Sequence, residues 1–293
     1  MRLALISLGV ALLAACVAPP PASPPASGEA AVIEANRRAD AYLRGGDLEG
    51  AARQYREALR LARSVEDAEG IAANSINLSI VYQRLGRRDE ARASLASLLE
   101  RGQLVFSPER MAQAALRTAV LDLEEGRFAS ASQWLERAAK YCGRGCEVSA
   151  AIHNVKGQLA LEEGRPDQAA ASAKIALGAS RASGDRTESA NALRLLGGVA
   201  IRSGDGAAAS AYLGEALAID RELGAPRKIY MDLIALGRAS ALRGDRGAAR
   251  SFYERARAVS EADRDADGAA QASALIQALG ESVQARQPAQ ALP

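Results

Sequence analysis

Residues Leu193–Ala216 read LRLLGGVAIRSGDGAAASAYLGEA. Before the Gly204-Asp205 pair, Leu193, Leu196, Gly197 and Ala200 stand at i, i+3, i+4 and i+7, and after it Ala209, Leu213 and Ala216 continue the same helical spacing. Such spacing gathers apolar and small side chains on one face of a helix. The stretch therefore predicts two amphipathic helices joined by a tight turn, with glycine freeing the backbone where the first helix ends.

The same plan recurs along the chain. Gly46-Asp47, Gly86-Arg87, Gly126-Arg127, Gly164-Arg165, Gly204-Asp205 and Gly244-Asp245 are each followed, five residues after the glycine, by Ala51, Ala91, Ala131, Ala169, Ala209 and Ala249. These alanines lie 40, 40, 38, 40 and 40 residues apart. A fixed period of this length is the signature of a repeat array, in which each unit buries its apolar face only by stacking on its neighbours. The polar residue after each glycine is expected to cap the helix that follows.

Within each unit the order of small and large residues is also fixed. Ala39 and Tyr42 go with Ala51, Tyr55 and Ala58; Ser79 and Tyr82 with Ala91 and Leu95; Ala119 with Ala131, Leu135 and Ala138. Gly157 goes with Ala169, Ala173 and Ala176; Gly197 with Ala209, Leu213 and Ala216; Gly237 with Ala249, Tyr253 and Ala256. This order resembles the tetratricopeptide repeat, in a long form of about 40 residues instead of the usual 34. The stretch Ala73-Asn74-Ser75-Ile76-Asn77-Leu78 is similar to the asparagine-bearing first helices of kinesin light chains. The resemblance implies an all-α, right-handed superhelical solenoid of six helix-turn-helix units over residues 31–262. Residues 263–286 are expected to form a C-terminal capping helix, and 287–293 a disordered tail.

The N-terminus reads as an export signal. Arg2 precedes an apolar run that ends at Leu13-Ala14-Ala15-Cys16, and Pro19, Pro20 and Pro21 follow at once. The run is too short to span a bilayer, which takes about 20 apolar residues. The tetrapeptide resembles the lipobox of bacterial lipoproteins, which implies cleavage of residues 1–15, acylation of Cys16, and a Pro/Ala/Ser tether over 16–30. Val17 and Ala18 after the cysteine resemble the pattern sorted to the outer membrane.

Composition narrows the chemistry. With 37 basic against 35 acidic side chains, the chain lacks the cationic field that nucleic acid requires. No Ser-His-Asp set, HExxH motif or phosphate-cradling loop can be assembled, so neither catalysis nor a cofactor is expected. The one histidine, His153, reads as a packed imidazole, and Trp134 as core or edge packing. Cys142 and Cys146, with Gly143 and Gly145 between them, allow either a short disulfide or two half-buried thiols; a zinc site with His153 would lack a fourth ligand.

In the resembled family the first helices line the concave surface. The corresponding positions are Asn36 and Asp40, Ile76 and Ile80, Leu116 and Val120, Asn154 and Gln158, Arg194, and Ile234 and Arg238. The four aliphatics of the second and third units, flanked by amides and arginines, suit an extended or helical protein segment. The bland alternative is that these side chains pack against neighbouring helices. The expected function is a lipid-anchored, non-enzymatic scaffold of the bacterial envelope with protein partners. The rival is a receptor for a small ligand or peptidoglycan fragment, with Tyr42 and Tyr82 as its aromatic candidates.

Overall fold

The computed structural model describes residues 28–100, 104–143 and 146–284. The expected leader 1–15, Cys16, the spacer up to residue 27 and the tail 287–293 lie outside the described residues. Among the described residues there are thirteen helices and no strand. They follow one another as α1 (Gly28–Arg44) and α2 (Leu48–Ser64), α3 (Ala68–Arg84) and α4 (Arg88–Leu99), α5 (Pro108–Glu124) and α6 (Phe128–Cys142). Next come α7 (Ser149–Glu162) and α8 (Pro166–Ser183), α9 (Arg186–Arg202) and α10 (Gly206–Glu222), α11 (Pro226–Leu242) and α12 (Arg246–Ala262), and last α13 (Ala266–Gln284).

Each helix packs on the next, which makes six antiparallel pairs closed by α13. First helices also touch the first helices of neighbouring units, whereas successive second helices have no comparable contact. A layer that packs closely beside one that splays must curve towards the close side. The array is therefore an all-α superhelical solenoid with α1, α3, α5, α7, α9 and α11 along its inner surface.

The turns follow from the glycines. Gly46, Gly86, Gly126, Gly164, Gly204 and Gly244 take φ of 71–78°, the left-handed conformation that glycine adopts without steric cost. Capping splits according to the next residue. Asp47, Asp205 and Asp245 accept hydrogen bonds from the first free N–H groups of α2, α10 and α12. Arg87, Arg127 and Arg165 make no side-chain cap, since a guanidinium has no acceptor. They turn instead to carboxylates: Arg87 to Glu49 and Glu90, Arg127 to Asp122 and Glu125, and Arg165 to Glu163.

A second set of turns lies 20 residues after the first. Glu66, Gly184, Gly224 and Arg264 all have positive φ there, and Asp67, Asp185 and Asp265 cap the helices that follow. Around the third unit this turn is replaced by longer connections, Glu100–Ser107 and Gly143–Val148. The first goes with a shortened α4, which has 12 residues against 17 in α2. The second carries the 38-residue spacing.

The packing order expected from sequence is the observed one. Ala51, Ala91, Ala131, Ala169, Ala209 and Ala249 are fully buried, and Tyr55, Leu95, Leu135, Leu213 and Tyr253 are buried beside them. Where glycine takes the small position on a first helix, there is no room for more. A Cβ on Gly157 would lie 2.5 Å from Leu195 Cδ2, and one on Gly197 would lie 2.5 Å from Leu213 Cγ.

Candidate functional site

The inner surface differs along its length. In the first unit Asn36 is half-buried, and Asp40 accepts a 2.5 Å hydrogen bond from the Tyr55 hydroxyl. Burial, and then the Asp40 carboxylate, raise the Tyr55 pKa well above that of an ordinary phenol. Tyr42 is exposed and Tyr82 buried.

Ile76, Leu116 and Ile234, placed on the inner face by the sequence reading, are only 8%, 8% and 6% exposed. They belong to the packed core, as first helices in mutual contact close over this row. Ile80 and Val120, on α3 and α5, are half-buried, and Ile80 packs along one side against the core of the first units. The aliphatic stripe is thus narrower than four residues. Beside it, Arg117 of α5 donates to Gln83 Oε1, and Gln83 Nε2 donates to Glu124 Oε1 at 2.5 Å. Burial lowers the Arg117 pKa from its ordinary value.

Units four to six are polar. Asn154 is buried and its Nδ2 donates to the Glu188 carbonyl at 3.0 Å and to Glu188 Oε2 at 2.7 Å, tying α7 to the start of α9. Gln158 donates to Glu162 within its own helix, and Arg238 is exposed.

Arg194 is no free groove residue. Its Nε donates to Asp232 Oδ1 at 2.6 Å, its Nη2 to Asp220, and its Nη1 to Asn191 Oδ1 at 3.0 Å. The Arg194 side chain is 14% exposed and both aspartate side chains are fully covered, so this cluster braces α9, α10 and α11 against one another. Burial pushes the Asp232 carboxyl up to about 6, with Asp220 adding to the rise and Arg194 opposing it. Lys228 donates to Asn191 Oδ1 at 3.1 Å, and burial together with Arg194 lowers its pKa.

A matching brace stands between the second and third units. Asp122, buried on α5, accepts from Arg92 Nη1 of α4 at 2.5 Å, from Arg127, and from Ser130 Oγ of α6 at 2.5 Å. Sequence reading singled out neither carboxylate cluster. The available signal was that Asp122 falls on the row otherwise held by Tyr42, Tyr82, Ala160, Ala200 and Ser240.

The remaining candidates sit apart from this surface. Cys142 and Cys146 are bonded to each other, with Cα atoms 5.3 Å apart, at the end of α6. His153 is half-buried, and burial, then Lys156, depress its pKa. Trp134 packs on the core of the third unit, with the Arg137 guanidinium 4.6 Å from the centre of its ring. Among the described residues no group of three or more His, Cys, Asp or Glu side chains is placed to hold a metal.

The fold is an all-α superhelical solenoid of stacked helix pairs. The tetratricopeptide-repeat family model matches residues 30–103, the first two units. No curated protein matches the chain. Solved structures share the fold over a longer span. A Rap protein complexed with Competence and Sporulation Factor is 15% identical, with a TM-score of 0.63 over 87% of this chain and 73% of that one. BtubC from P. vanneervenii is 21% identical, with a TM-score of 0.55 over 81% and 92%. PilW, a type IV pilus biogenesis factor, is 18% identical, with a TM-score of 0.55 over 78% and 92%.

Proposed function

We propose that this chain is a non-enzymatic scaffold which holds a segment of a protein partner along its first helices. In this reading it works from a lipid anchor on Cys16, in the bacterial envelope, at the outer membrane and facing the periplasm. The observation that carries the reading is the inner surface itself. Half-buried Ile80 and Val120 lie on adjacent first helices, with the amide of Gln158 and the exposed Arg238 farther along. An apolar strip that continues into hydrogen-bonding groups fits a peptide better than a compact solute.

Two further points support it. A Rap protein of the same fold is complexed with Competence and Sporulation Factor, and PilW of the same fold is a pilus biogenesis factor. The Cys142–Cys146 bond suits an oxidising compartment, as does the Leu13–Cys16 lipobox resemblance.

Replacing Ile80 and Val120 together by Asp is expected to leave helical circular dichroism intact and to cut cross-linked partner recovered from intact cells by about tenfold or more. Binding would then bury two carboxylates with one guanidinium, that of Arg117, beside them. Undiminished recovery from a folded variant would refute the groove. The anchor is tested separately. Cys16→Ser is expected to lose labelling by an alkynyl fatty acid and to leave the membrane fraction, and retention of both would refute it.

A further inference from the structure

The splay of the second helices leaves a cleft on the side of the solenoid away from the first-helix groove. It opens between α2 and α4 above α3 and encloses about 460 Å³. Its floor is apolar: Leu59, Leu78 and Tyr82 are buried there. One side of the Tyr82 ring is covered by the Arg87 guanidinium, 4.8 Å from the ring centre. On the α4 side the cleft is bounded by Glu90, Ala93 and Ser94, in the first two turns of that helix.

The α2 rim of this cleft is cationic. Arg56, Arg60 and Arg63 line it at i, i+4 and i+7, which sets them about 6 and 4.5 Å apart along the helix axis. Arg60 is bridged to Glu57 at 2.7 Å, whereas Arg56 and Arg63 make no ion pair among the described residues. Glu90, the carboxylate in the lining, is already held by Arg87, and Arg56 further favours its charged form. The cleft thus carries excess positive charge along one wall over an apolar floor.

We propose that the α2–α4 cleft docks an acidic amphipathic helix of a protein partner. Carboxylates spaced i, i+4 and i+7 would run alongside the arginines, and a large apolar side chain would enter over Leu59, Leu78 and Tyr82. This surface is separate from the inner groove, so the scaffold can hold two partners at once.

The test uses the purified full chain and a fluorescent synthetic helical peptide with glutamates at i, i+4 and i+7 and leucines between them, followed by fluorescence anisotropy. Saturable binding that weakens with salt is expected. It should fall at least tenfold in the Arg56→Glu/Arg63→Glu variant, whose changes are on exposed side chains and leave the fold intact, and should be unchanged in the Ile80→Asp/Val120→Asp variant. The proposal is overturned if the peptide does not bind, or if a lysine-substituted peptide binds equally. Loss of binding in the groove variant alone, or binding of anionic vesicles without binding of the peptide, would also overturn it. Loss of partner recovery in the groove variant with peptide binding retained separates the two surfaces.

Discussion

Arg194→Met is expected to destabilise the fold by about 3–5 kcal/mol, the usual cost of removing one partner from a buried charge cluster. The methionine fills similar volume, so the loss measures Asp220 and Asp232 left without their guanidinium, with Lys228 the nearby cation in partial compensation. Urea unfolding at pH 7 followed by circular dichroism gives the value; a loss under about 1 kcal/mol would mean that the cluster is not a brace.

The pH dependence has a definite sign. Asp232 takes up its proton at about 6 in the fold, against the ordinary 3.8. Between these values the folded chain binds more protons than the unfolded one, so this group lowers stability as pH rises from about 4 to about 6. Asp232→Asn removes that decline while keeping an acceptor for Arg194. Added to Arg194→Met, it should recover part of the lost stability at pH 7.

Gly197→Ala and Gly198→Ala, the same change at adjacent residues of one helix, are expected to act in opposite directions. At Gly198 the nearest atom to a new Cβ is Leu161 Cδ2 at 3.5 Å, an ordinary contact. Alanine should there add about 0.5–1 kcal/mol through helix propensity. At Gly197 the new Cβ would be 2.5 Å from Cγ and 2.8 Å from Cδ2 of the fully buried Leu213, and overpacking costs about 1–3 kcal/mol. The difference between the two midpoints in urea isolates the close approach of α9 to α10. Equal shifts would show that Gly197 is not required by packing.

The two glycines also mark how far the sequence could be read. Gly197 was legible because Gly157 and Gly237 occupy the same place in their units, opposite a fixed order of alanines and large residues. The turns after first helices were legible for the same reason. The turns after second helices were not, because Glu66 and Arg264 hold the left-handed position that Gly184 and Gly224 hold elsewhere. A glycine search finds only half of that set.

On the inner surface the reading was coarser. Ile76, Leu116 and Ile234 carry the right periodicity for an inner row, but burial between adjacent first helices is set by the superhelix and not by any one helix. The carboxylates were missed because a charged residue on an amphipathic helix ordinarily belongs to the solvated side. Only the alignment of Asp232 with Asn74, Ala114, Ile152 and Ala192, all buried, marks it as a core position, and Glu34 at the open end of the same row is exposed.

Because each helix rests on those one or two places along the chain, no contact among the described residues ties the first unit to the last. Excising one period joins a second helix to a first helix of the kind it already meets, and inserting one does the same. The reach of the molecule is therefore open to adjustment by duplication or loss of gene segments, one period at a time, without a new fold having to be found. The connections flanking the third unit are the exception. A segment cut there would have to carry its own linker, so those two joints fix where such an exchange has to begin and end.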